Sequence, residues 1–187
     1  MFNKKEFETM QKWLVDFEKK RNDIIFLSRE IISLSKKIIH FTMQNNTKEA
    51  IKLVPQIKKK ISKLPKKRYN TNLPHVAKQE FVEAICFLNF VEKGSIPSMI
   101  YLKVDVASFL TGLSDLTGEL VRLAVNDVIK GNYDRALKIK DFVADLQIEF
   151  LKLELREGEL RKKADSVRWN LKKLEDLALD VVKLRAK

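Results

Sequence analysis

Residues 3–44 contain neither Pro nor Gly, and their apolar side chains recur at helical spacing. Phe7, Met10, Trp13, Leu14, Phe17, Ile24, Leu27, Ile31, Leu34, Ile38 and Phe41 form one stripe. From Ile24 to Phe41 the steps alternate three and four, the spacing of a narrow helix–helix seam. Ile25, Ile32 and Ile39 widen that seam on one side. A helix of roughly 42 residues rises about 63 Å at 1.5 Å per residue. The expected consequence is a chain that folds as helices and needs more than one subunit to cover so long a stripe.

The rest of the chain agrees. Asn45-Asn46-Thr47 should break the first helix, with Thr47 placed to cap the second. Pro55 should kink that second helix and Pro65 end it. Asn72-Leu73-Pro74 restarts a helix running to about Lys93, and 94–98 reads as a loop. Asp105 is the expected N-cap of a helix reaching about Lys130, stopped by Gly131-Asn132. Helices over 133–156 and roughly 159–185 follow. No strand alternation and no internal repeat is visible, so the fold class is all-α, an antiparallel bundle in one domain spanning 1–187. A single Cys excludes an intramolecular disulfide and suits a reducing, cytoplasmic setting. No apolar run approaches the ~18 residues of a membrane span, and the N-terminal residues lack the apolar core of a secretory leader.

Charge is unevenly placed. The net charge is +12, and residues 48–68 hold nine bases against one acid, Glu49. Lys58, Lys59, Lys60, Lys63, Lys66, Lys67 and Arg68 close that segment. A concentrated basic stripe is the footprint of a polyanion partner, and a solvated helix face is the bland alternative.

Two pairs of acids interrupt runs that otherwise read as buried helix: Glu80 with Glu83, and Asp115 with Glu119. Residues three or four apart share a helix face, so each pair aims two carboxylates the same way. Only Glu119 has a basic residue one turn away, Arg122. Burying like charges is costly unless something compensates. Solvated faces explain most such pairs. Here the neighbours of Glu80 and Glu83 are mostly apolar, and Gly112 and Gly118 flank Asp115 where backbone or ligand could approach closely. An oxygen-only donor set would suit Mg²⁺ or Mn²⁺. Di-iron chemistry is disfavoured because neither pair continues into Glu-x-x-His. His40 and His75 read as surface or packing residues, and Cys86 as a buried structural thiol. Of the aromatics outside the expected core, Tyr69 stands next to the basic run and is the candidate for base stacking.

One run is distinctive: Asp115-Leu116-Thr117-Gly118-Glu119-Leu120-Val121-Arg122-Leu123-Ala124-Val125-Asn126, followed by Gly131-Asn132-Tyr133, Leu160-Arg161-Lys162-Lys163 and Leu171-Lys172-Lys173-Leu174-Glu175. It resembles the translin family. Gln79-Glu80-Phe81-Val82-Glu83-Ala84 through Phe90 looks like the matching helix of the translin-associated factor X branch, and Ser28-Arg29-Glu30-Ile31 to Ser35-Lys36-Lys37-Ile38 is a weaker match. Residues 1–22 and 45–75 match poorly.

The resemblance implies a seven-helix translin-like bundle with a long N-terminal helix. It implies assembly into a hollow homo-oligomer, eight copies by analogy, with acids facing an inner chamber. The factor X branch is the catalytic one of an endoribonuclease complex, and its catalytic and metal-binding acids fall on Glu80, Glu83, Asp115 and Glu119. In animals that branch carries a long insertion before its Asp-Leu-Thr-Gly-Glu helix, whereas only 94–104 intervene here, as in a simpler single-gene, prokaryotic-type version. The expected activity is Mg²⁺-dependent cleavage of single-stranded RNA or RNA ends. The alternatives are a non-catalytic single-stranded RNA- or DNA-binding protein like translin itself, and a helical scaffold that binds no nucleic acid.

Overall fold

The computed structural model describes residues 2–65 and 69–186, and among these it contains seven helices and no strand. They are α1 (Lys4–Met43), α2 (Thr47–Ile61), α3 (Leu73–Lys93), α4 (Met99–Leu102), α5 (Val106–Ile129), α6 (Tyr133–Lys152) and α7 (Glu159–Arg185).

Local chemistry sets most of these bounds. Asn3 caps α1 by accepting from the Lys5 amide at 3.1 Å. Asn45, at φ 60, turns the chain out of α1. Asn46, not Thr47, occupies the N-cap of α2, and its side chain makes no capping bond. Thr47 is already the first helical residue, because the left-handed turn is completed one position earlier than its hydroxyl suggests. Pro55 lies inside α2 on the exposed side, where water can reach a backbone carbonyl left without its intrahelical partner. Pro74 sits in the first turn of α3, and Gly94 closes it at φ 69 with its amide on the Phe90 carbonyl at 2.8 Å. Asp105 caps α5, accepting from the Ser108 amide at 2.9 Å. The 94–104 connection contains the short α4, capped by Ser98. α6 stops at Lys152, short of residue 156, and Glu154 at φ 47 marks the turn.

α1 packs on α2 and α3, α3 on α5, and α5 on α6 and α7. One buried cluster runs through all of them, including Ile31 and Ile38 of α1, Ile57 of α2, Phe81, Ile85 and Phe87 of α3, Leu116 and Leu120 of α5, Ile139 of α6 and Leu174 of α7. Each such side chain contributes roughly 1.5–3 kcal/mol on burial. The α5 face is small and hydroxylated, with Ser108, Thr111, Ser114 and Thr117 buried. Thr111, Ser114 and Thr117 donate to carbonyls three or four residues back, and Thr117 also accepts from Asn170 of α7 at 2.8 Å.

The α1 stripe divides in two. Its second half is core: Ile24, Ile31, Leu34 and Ile38 are buried. Its first half is not, for Phe7, Met10, Trp13 and Leu14 are all exposed, Trp13 by 56%. Trp13 stacks on Phe17 at 5.0 Å, and Phe17 on Tyr69 at 5.4 Å.

Candidate active site and nucleic-acid interface

The centre of the bundle is where α3 and α5 come closest, and a glycine allows it. A Cβ on Gly112 would stand 2.6 Å from Val82 Cβ and 2.7 Å from the Gln79 carbonyl oxygen. No side chain other than hydrogen fits that approach. Gly118 has no such neighbour, only Asn170 Nδ2 at 3.8 Å.

This contact brings the two acid pairs into one electrostatic field. Burial pushes the Glu83 carboxyl up to about 8, and Asp115, Glu80 and Glu119 add to the rise while Lys163 opposes it. Burial also raises Glu80, with Asp115 and Glu119 in support and Lys36 and Lys163 against. Glu80 and Glu83 form no hydrogen bond or ion pair among the described residues. Asp115 is partnered on both oxygens. Lys163 of α7 reaches Oδ1 at 2.5 Å, and Gln79 Nε2 donates to Oδ2. Arg122 holds both oxygens of Glu119 at 2.8 Å from its own helix.

The four acids thus lie on two neighbouring helices, near enough for their charges to act on one another. Gln79, beside Glu80 on α3 itself, completes the site together with Lys163 of α7 and Lys36 of α1, two residues that spacing along α3 and α5 could not relate to it. All three stand in runs that carry the family resemblance, Gln79 opening the 79–90 run, Lys36 within Ser35–Ile38 and Lys163 closing Leu160–Lys163, but nothing in those runs marked them as neighbours of the acids. Among the described residues no three of His, Cys, Asp and Glu converge tightly enough to cage a metal ion. The carboxylates act on one another through their charges without forming the close cage in which a hard divalent ion is bound at roughly 2.0–2.6 Å. In donor type and charge the set fits such an ion: oxygen ligands only, with a half-buried excess of carboxylate that keeps Glu83 protonated near neutral pH.

The basic segment also sorts itself in the structure. Lys58 is occupied, donating to the Tyr101 hydroxyl at 2.9 Å and lying 4.5 Å from that ring's centre. Lys60 pairs with Glu30 of α1 at 2.9 Å, tying α2 down. Lys59 and Lys63 are exposed and make no ion pair among the described residues. Lys66, Lys67 and Arg68 lie outside the described residues. His75 bonds Ser108 Oγ at 3.0 Å, a packing role. Cys86 is buried, its thiol pushed up to about 12 by desolvation, which makes it a poor nucleophile. Tyr69 is stacked on Phe17.

Known proteins place this architecture. Translin from Gallus gallus is 38% identical over 78 residues, covering 42% of this chain, and the chain spans only 34% of that relative's length. Translin-associated protein X homolog from Schizosaccharomyces pombe is 23% identical over 198 residues, covering 92% of this chain and 85% of its own. Among solved structures, apo-NeC3PO superposes with a TM-score of 0.86 at 27% identity, covering 92% of this chain and 95% of that one. A structure described as an AfC3PO–duplex RNA complex gives 0.80 at 25% identity, covering 97% and 99%. The sequence profile of the Translin family matches residues 6–185. With a seven-helix fold, a paired-acid centre and a match over nearly its whole length, the chain belongs to the Translin family.

Proposed function

We propose that this chain is a Mg²⁺- or Mn²⁺-dependent endoribonuclease that cleaves single-stranded RNA, or RNA ends, inside a hollow cytoplasmic homo-oligomer of eight copies. The observation that carries the reading is the shared electrostatic field of Glu80, Glu83, Asp115 and Glu119 at the α3–α5 contact, with Glu80 and Glu83 half-buried and unpaired among the described residues. RNA as the partner is supported by the exposed Lys59 and Lys63 and by a structural neighbour described as a duplex RNA complex. Assembly is supported by the uncovered apolar half of α1.

Glu80, Glu83, Asp115 and Glu119 would hold the metal. Bound there, a divalent ion supplies charge stabilisation for the scissile phosphate and a lowered pKa for the attacking water. The chain's own groups do the rest. Gln79 fixes the plane of the Asp115 carboxylate by bonding one oxygen. One of the four carboxylates takes the proton from the water. Burial between α3 and α5 lowers the local dielectric and strengthens each of these charge interactions. Lys59 and Lys63 hold the strand through its phosphates, independent of base sequence. Attack by water leaves 5′-phosphate and 3′-hydroxyl ends.

A second reading has two observations in its favour. Asp115 is already neutralised by Lys163, and the acids do not converge as they stand, which suits a non-catalytic nucleic-acid-binding protein. Labelled single-stranded RNA, incubated with purified protein with and without Mg²⁺, separates the two. The nuclease reading expects metal-dependent cleavage that Asp115→Asn and Glu83→Gln each abolish while RNA binding persists. Cleavage at the wild-type rate by either variant would refute the ligand assignment. Binding without cleavage in the wild type would favour the second reading.

A further inference from the structure

The acid centre carries its own counter-cation. Lys163 crosses from α7 to Asp115, and the two side chains are only 27% and 25% exposed. Among the described residues near the cluster it is the one cation in direct contact with an acid of another helix. Arg122 is mostly exposed and pairs within α5, and Lys36 acts on Glu80 without forming an ion pair. The remaining oxygen of Asp115 is taken by Gln79. Both oxygens of Asp115 are therefore engaged, and a divalent ion approaching the Lys163-facing oxygen meets the ammonium's charge there. Two cations held a few ångströms apart at one carboxylate oxygen repel each other strongly in a partly buried site.

We propose that Lys163 is the resident competitor of the divalent ion at Asp115, and that the displaced ammonium becomes a contact for the phosphate of bound RNA. The inference rests on the metal-dependent nuclease reading. A partly desolvated ammonium that loses its carboxylate needs another anion. The phosphodiester is the anion the reaction itself brings to the site. The exchange also accounts for acids that share a field without caging an ion: Asp115 is turned to Lys163 until metal arrives.

Calorimetric titration of Mn²⁺ into the full-length protein, without RNA, tests the first half. Lys163→Met is expected to bind Mn²⁺ about tenfold more tightly than wild type, because the competitor is gone. Lys163→Arg, which keeps the cation, should stay within about twofold of wild type. Lys36→Met removes a nearby charge that touches no acid, and its gain should be below about threefold. Equal affinity in Lys163→Met and wild type, or an equal gain in Lys36→Met, overturns the proposal while leaving the nuclease reading intact. Binding by Lys163→Met alone supports it. Failure of every variant and of wild type to bind Mn²⁺ overturns the metal reading and the proposal with it. Circular dichroism checks folding, and Lys163→Gln replaces Lys163→Met if the latter misfolds. The second half is read kinetically at saturating Mn²⁺. Lys163→Met should raise KM for RNA at least fivefold, and Lys163→Arg should restore it. An unchanged KM overturns the phosphate contact.

Discussion

Glu83→Gln is expected to stabilise the metal-free protein, and to do so more at pH 8 than at pH 5. The reason is linkage. The Glu83 carboxyl titrates at an ordinary value of 4.5 when unfolded and at about 8 when folded, chiefly through burial and then through Asp115, Glu80 and Glu119. Between those values the unfolded chain has released the proton and the folded chain has kept it. The unfolded state then binds fewer protons, so stability falls as pH rises. The contribution is fully present below about pH 4.5 and is lost by about pH 8. Each pH unit traversed costs up to about 1.4 kcal/mol, giving an upper bound near 5 kcal/mol across the window. Residual hydration of the side chain and sharing of the proton among coupled carboxylates reduce this to on the order of 3 kcal/mol.

For a domain of this size such a difference shifts the melting midpoint by roughly 6–12 °C. The assay is thermal unfolding in EDTA at steps from pH 5 to pH 8.5, wild type beside Glu83→Gln. Gln is neutral throughout and nearly isosteric, so titration of every other group largely cancels in the comparison. The expected result is a gap that widens with pH, and a larger stabilisation by added Mn²⁺ in wild type than in the variant. Parallel pH profiles would refute the placement of Glu83 in a buried, like-charged setting.

Three further outcomes rest on other parts of the molecule. Gly112→Ala should destabilise by about 1–3 kcal/mol, since its methyl must push α5 off Val82 and the Gln79 carbonyl, and calorimetry would show no loss if the helices can part freely. Lys59→Gln with Lys63→Gln should lower RNA affinity uniformly across sequences and flatten the salt dependence by roughly 0.7 for each phosphate no longer held; adding Lys60→Gln should also cost stability through Glu30. Trp13→Ser with Leu14→Ser should leave helicity intact and reduce the mass seen by light scattering towards the 21.8 kDa of one chain, whereas an unchanged mass would place assembly elsewhere.

What was legible in the sequence follows from the range of the forces involved. Local signals marked the long helices: the uninterrupted 3–44 stretch, Asp105 as a cap, the loop at 94–98 and Gly131 as a stop. α4 escaped because its four residues are shorter than any periodic pattern can reveal. α6 ends early at a left-handed Glu154, a residue type that carries no breaker signal. The acid pairs showed through their spacing on single helices. The proximity of the two pairs depends on Gly112, whose flanking position was visible but whose neighbour on α3 was not. Lys163 lies 48 residues beyond Asp115, and a tertiary pair at that separation leaves no periodicity. In the basic run, charge could be counted, but the engagement of Lys58 by Tyr101 and of Lys60 by Glu30 is decided by packing.

The same helix that holds half of the acid centre also shows what an acid kept for the fold looks like. Asp127, on α5, is 1% exposed, and both of its oxygens are bonded by Arg135 of α6, one of them from Nε at 2.6 Å. That pair closes the corner between two helices and satisfies the charge it buries. Glu80 and Glu83 share the interior with large apolar side chains yet bond nothing among the described residues, and burial together with the neighbouring acids raises both carboxyls. A hydrophobic residue at either position would remove that cost and add buried area, and replacement of buried charge by apolar side chains of similar volume is commonly stabilising. Holding them in their charged form is therefore a cost to the bundle. Raised carboxyls of this kind, at the close approach of two central helices and only partly offset by Lys163 and Lys36, are what the proposed metal site would require.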